Sequence, residues 1–152
     1  MIRKTVDRAL ERVLITLMMV MTLDVLWGVF TRYVLGSQAS WTEELARFLL
    51  IWIGILGAAF ASGRGMHLSI DLVSHRLSAN SQKRLSNLIR LLIAAFALLV
   101  LVVGGLRLIY ISQKLGQHSP ALNIPMWMVY FVIPLSGLLI LYYKLTERPS
   151  PH

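Results

Sequence analysis

The stretch LLIAAFALLVLVVGGL, residues 91 to 106, sits between Arg90 and Arg107 and is built only of Leu, Ile, Ala, Phe, Val and Gly. As a helix rising about 1.5 Å per residue it covers most of a hydrocarbon layer roughly 30 Å thick, and a further turn at each end completes the crossing. A helix apolar on every side has no face to offer water, so residues 88 to 111 are read as a membrane span. Three further stretches behave alike. Residues 13 to 31 lie between Arg12 and Arg32 with Asp24 as their single charge, and residues 42 to 62 are uncharged from Phe48 onward. Residues 126 to 143 fall in a run of 29 uncharged residues between Lys114 and Lys144. The sequence therefore predicts an all-α integral membrane protein, one membrane domain over residues 1–152 with four transmembrane helices.

Composition agrees with that reading. Hydrophobic residues make up 57% of the chain and charged residues 14%, against about 25% charged in soluble domains. The net charge of +8 comes without a nucleic-acid-binding motif. We assign the basic excess to contact with membrane lipid on the cytoplasmic side, not to nucleic acid. With the N-terminus inside, the inner segments hold eleven Lys and Arg and the outer ones four, which places both termini in the cytoplasm. The basic start and first apolar run resemble a secretory signal. The run is nevertheless too long for a signal core, contains Asp24 and lacks a small-residue cleavage site, so it is read as a retained helix. There is no cysteine, hence no disulfide framework and no thiolate metal site.

Between the second and third helices, Leu68, Ile70, Leu72, Val73 and Leu77 are interleaved with His67, Asp71, His75 and Arg76. Such mixing fits either a short interfacial helix or a polar loop. The loop from Leu115 to Pro125 is rich in turn residues, and Pro125 suits the first turn of the fourth helix. Pro134 inside that helix predicts a bend. Gly54, Gly57, Ala58, Ala61, Gly104 and Gly105 are small enough for close helix packing, and internal contacts are expected of them.

The chemistry in the spans is sparse. Asp24 lies about 16 Å from the inner end of its helix, where a carboxylate costs a few kcal/mol unless neutralised or paired. It is either a proton or cation site or a structural group, in a buried ion pair or hydrogen-bonded to a neighbouring helix, and the structural reading predicts Arg47 as its partner at similar depth. The run Ser40-Trp41-Thr42-Glu43-Glu44 reads as a helix start, with Ser40 and Glu43 spaced as a capping box. His67, His75, His118 and His152 all lie outside the spans, which argues against haem ligation, and they are too scattered for a zinc site. No cofactor is expected. Nucleophile, metalloprotease and phosphate-loop motifs are absent, so the chain is not read as an enzyme.

Four pieces of sequence, in order, resemble a known family: Arg32-Tyr33-Val34-Leu35-Gly36, then W-T-E-E-L-A-R-F from Trp41 to Phe48, then G-A-A-F-A-S-G-R-G-M-H-L-S-I-D from Gly57 to Asp71, and S-P-A-L-N-I-P-M-W from Ser119 to Trp127. Together they resemble the small membrane subunit of tripartite ATP-independent periplasmic (TRAP) transporters, the DctQ-like family. The resemblance runs from about residue 20 to residue 137. It implies a multi-pass protein of the bacterial inner membrane that packs on a large membrane subunit. That subunit would hold the substrate and sodium sites, and a periplasmic binding protein would deliver a carboxylate. The small subunit would act as a scaffold and as part of the docking surface for the binding protein. The residues implied for docking are Gln38, Trp41, Glu43 and Glu44 in the first outer loop, and Gln117, His118, Ser119 and Asn123 in the second. The alternative is a small oligomeric transporter that couples to protons through Asp24 by itself.

Overall fold

The computed structural model describes residues 2–37, 39–64 and 79–146. Gln38, His67, His75, His152 and the segment read as an interfacial helix or loop lie outside these residues. Among the described residues, four helices are long and apolar enough to cross a membrane: Arg3–Val34, Ser40–Gly63, Asn87–Lys114 and Met126–Thr146. We call these the first to fourth spans. Helices are the expected solution, because in lipid every backbone N–H and C=O must find its partner within the segment.

Packing sets the order of the spans. The first lies along the second, the second along the fourth, and the fourth along the third, so the bundle is a row with the fourth span between the second and third. The core is thin: Leu10, Leu56 and Val132 are buried, with Leu14, Leu17, Ile51, Trp52 and Ile133 packed around them. Most of the large apolar side chains, such as Leu23, Leu26, Leu91 and Leu99, remain exposed on the flanks.

Glycine decides how close the spans come. A methyl group on Gly105 would stand 2.8 Å from Pro134 Cδ and 3.0 Å from Ile133 Cγ2, and one on Gly137 would stand 2.8 Å from Leu101 Cβ. The third and fourth spans thus touch nearly backbone to backbone. Gly63, at the end of the second span, lies equally close to the Tyr143 ring, which is itself buried. Gly54 and Gly57 do otherwise: a methyl group on either would meet nothing within 4 Å. The expectation of internal packing is corrected there, because the second span turns Leu49, Leu56, Ala59 and Gly63 inward and leaves Gly54 on its outer side.

The first helix starts at Ile2, eleven residues before the sequence boundary at 13. Its early turns are held by contacts that hydropathy cannot show. Leu10 enters the core, the Tyr143 hydroxyl donates to Asp7 Oδ1 at 2.6 Å, and Arg3 donates to the Gly63 carbonyl at 2.5 Å. At the same end Arg90 of the third span donates to the Lys144 carbonyl. The described ends of the first and fourth spans therefore lie together.

The second helix begins at Ser40 with Ala39 as its N-cap and no side-chain cap bond. The capping box is not formed, because Ser40 is already inside the first turn; Thr42 bonds back to the Ala39 carbonyl instead, at 2.7 Å. The expected bend in the fourth helix is present. Met126–Tyr130 and Val132–Thr146 are separated by a turn at Phe131, one turn before Pro134, whose missing N–H leaves the Tyr130 carbonyl without its helical donor. A wider π-helical stretch, Ala97–Gly104, interrupts the third span where it meets Gly137.

Gly105→Ala should lower the melting temperature of the purified chain, at a cost of about 1–3 kcal/mol from overpacking against Pro134. Gly54→Ala, facing open space, should leave it unchanged or raise it slightly; equal effects at the two positions would contradict this packing.

Candidate functional site: the loop end of the bundle

The end of the bundle that carries the two short connections, residues 35–39 and 115–125, gathers most of the residues singled out for docking. The longer connection is fixed by backbone geometry. The third span closes at Gly116, in the left-handed region at φ 58°, with Gly116 N–H on the Gln113 carbonyl and Gln117 N–H on the Ser112 carbonyl, both at 3.1 Å. The chain then doubles back: Met126 N–H bonds to the Gln117 carbonyl, and Asn123 N–H to the Ser119 carbonyl. Asn123 takes a left-handed φ of 53°, a conformation Asn adopts more readily than most side chains.

Glu44 fastens this loop to the second span. One of its carboxylate oxygens accepts both the Ala121 N–H at 2.8 Å and the Leu122 N–H at 2.9 Å. Such charge-assisted bonds are about twice as strong as neutral ones. Sequence reasoning treated Glu43 and Glu44 as an equivalent acidic pair, whereas here the two diverge. Glu44 is half-buried and committed to the loop, while Glu43 is exposed. Trp41, Gln117, His118 and Asn123 are also exposed, and the His118 ring bonds to the Gly116 carbonyl at 2.8 Å. Ser119 is corrected: it is 3% exposed, and its hydroxyl accepts the Ile124 N–H, so it supports the loop from within and presents nothing outward.

Asp24 and Arg47 do not pair. Asp24 is 6% exposed and neither of its carboxylate oxygens has a hydrogen-bond partner. Thr42, Glu43 and Ala46 face the first span alongside Asp24, and one residue further on the helix turns Arg47 about 100° away, to an exposed position. The two residues match in depth but not in direction around the helix. Between the spans lies a cavity of about 250 Å³ bordered by Asp24, Gly28, Arg32, Tyr33, Thr42 and Glu43, among others.

Residues 12–147 match the family described as Tripartite ATP-independent periplasmic transporters, DctQ component. The chain is 28% identical over 153 residues to the sialic acid TRAP transporter small permease protein SiaQ of Vibrio cholerae, covering 97% of this chain and 83% of that protein. It is 30% identical over 107 residues to the C4-dicarboxylate TRAP transporter small permease protein DctQ of Rhodobacter capsulatus, covering 70% of this chain and 47% of that one. It is also 33% identical over 101 residues to the isethionate TRAP transporter permease protein DctMQ of Oleidesulfovibrio alaskensis, covering 66% of this chain and 16% of the relative. A family match across most of the chain, carried on four apolar helices, makes this chain a member of the DctQ family: a multi-pass small permease subunit of a TRAP transporter for solute uptake, and not an enzyme.

Proposed function

We propose that the chain serves a sodium-coupled, binding-protein-dependent transporter of carboxylates as the fixed scaffold for its large membrane subunit. It would sit in the bacterial inner membrane with both termini in the cytoplasm, the side favoured by eleven inner Lys and Arg against four outer ones. The observation that carries this reading is the open row of spans, whose flanks keep large apolar side chains exposed. A row offers broad surface to a partner, whereas alternating access in secondary transporters generally rests on repeats and broken helices around a central site. The DctMQ relative supports the same partner, since a segment like this chain is a small part of a longer permease protein. SiaQ and DctQ are named for a sialic acid and a C4-dicarboxylate transporter, which supports an acidic solute here.

The loop end is the docking surface for the periplasmic binding protein. Trp41, Glu43, Gln117, His118 and Asn123 are its exposed members, and Glu44 holds the longer loop in register beneath them. Charges at such a rim mainly set encounter rate and orientation.

Three outcomes are expected. A tagged chain extracted in mild detergent should bring down a large multi-helix membrane protein in one-to-one ratio; a chain that purifies alone and transports by itself would sink the scaffold role. Glu43→Lys should change the association rate with the binding protein several-fold at low salt, and the effect should shrink as salt screens it. Glu44→Ala removes two charge-assisted bonds worth roughly 1.5–3 kcal/mol each, so the Ala121 and Leu122 amides should exchange hydrogen at least about tenfold faster. Unchanged exchange there would show that Glu44 does not hold the loop.

A further inference from the structure

An arginine exposed on a membrane helix must find an anion or reach water, because lipid tails offer its guanidinium no acceptor. Arg47 is such a residue. It stands about 10 Å into the second span from Ser40, and among the described residues it makes no hydrogen bond or ion pair. The acids of this chain do not serve it: Glu44 is committed to the Ala121 and Leu122 amides, Asp24 is buried without a partner, and Glu43, one turn earlier, forms no ion pair with it. The face that carries Arg47 also differs in contour from the other exposed faces. Arg47, Leu50, Gly54 and Ala58 recur at three- and four-residue spacing, so they form one stripe, and all four are exposed. Among the described residues, the second span exposes only Trp41 and Leu50 of its large apolar side chains, whereas the first exposes Leu23 and Leu26 and the third Leu91 and Leu99, with many others. A Cβ on Gly54 or Gly57 would meet nothing within 4 Å, so packing inside this chain accounts for neither glycine. Lipid accounts for neither as well, since its tails fill any contour and glycine holds a helix less well than every residue except proline. A partner helix does account for them, because small residues let two backbones come close.

We propose that this stripe is where the chain meets a helix of the large subunit, and that the helix carries a carboxylate at the level of Arg47. The proposal rests on the scaffold reading above and narrows it to one face and one pairing. Charge selects the occupant, since a guanidinium binds a carboxylate through two parallel hydrogen bonds. A second copy of this chain, inserted in the same direction, would set Arg47 beside Arg47 at one depth, so like charge opposes a dimer on this face. The DctMQ relative, in which a segment like this chain is a small part of a longer permease protein, supports the large subunit as the neighbour. Arg107 of the third span is exposed too, but it stands among Val103, Leu106 and Tyr110, which are exposed and large. Their bulk keeps a second backbone at a distance, and the Arg107 arm is left to reach toward the headgroups.

The test is recovery of the large subunit with the tagged full chain from membranes in mild detergent. Arg47→Glu should lower that recovery at least about tenfold, and Arg47→Lys, which keeps the charge, should restore most of it. Gly54→Leu should lower it similarly while leaving the melting temperature of the purified chain unchanged, because a side chain there meets nothing of its own; an unfolded variant is thereby told apart from an obstructed face. Leu26→Trp and Leu99→Trp, on the bulky faces of the first and third spans, should leave recovery as it was. The chain has no cysteine, so Leu50→Cys supplies a single thiol for a benzophenone maleimide, which on illumination in the membrane should join the chain to the large subunit. Full recovery with both Arg47→Glu and Gly54→Leu would overturn the proposal and leave the scaffold role standing. Adducts of the Leu50→Cys probe with lipid alone, or with a second copy of this chain, would overturn it as well. If the unaltered chain brings down no large subunit, the scaffold reading falls first and this pairing with it.

Discussion

The arrangement of the spans depends on close approach to the fourth helix. Between helices in lipid there is little hydrophobic gain to be had, because the lipid tails are as apolar as the side chains; contact must come from shape. Gly105 lets the third span reach Pro134, Gly137 admits Leu101 and Val102, and Gly63 gives way to the Tyr143 ring. Each of these contacts has the fourth span as one side. The first span, which packs mainly on the second, is brought into the set by Asp7 and Arg3 at its far end.

That dependence explains why the bundle is a row. A helix with two glycine-scale partners on opposite sides has little small-residue surface left for a third, so the first span attaches beyond the second instead of closing a ring. The outcome is a thin core and broad exposed flanks, a shape suited to a subunit whose neighbours supply the missing walls. At the loop end, by contrast, polar bonds fix the backbone. The glutamate on two adjacent amides and the left-handed closures at Gly116 and Asn123 hold residues 115–125 in one conformation.

The spans were legible because hydropathy reports the solvent of a helix directly, and the proline bend was legible because a missing N–H acts locally. What failed shares a different physics. Asp24 and Arg47 were matched by depth, which sequence distance gives well, but pairing also needs direction around the helix, which depends on how two helices rotate against each other. The roles of Gly54 and Gly105 were confused for the same reason: composition marks a small residue, and only packing says which side it faces. Ser119 reads as a polar loop residue and is buried because the loop folds over it. The π-helical stretch 97–104 holds no proline or polar breaker to announce it, and it lies where the third span meets Gly137. The early start of the first helix rests on Asp7 finding Tyr143, a partner 136 residues away.

That last contact bears on how the chain is made. A membrane protein enters the bilayer from its N-terminus onward, and the first span is in place while the fourth is still to be synthesised. The hydroxyl that holds Asp7, the ring beside Arg3, and Val132 in the core around Leu10 belong to the fourth span. Until it arrives, the opening turns of the first helix are held by the second span, through Arg3 on the Gly63 carbonyl and Leu10 against Leu56. A chain truncated before Tyr143 would leave the first span without the hydroxyl that ties it to the fourth.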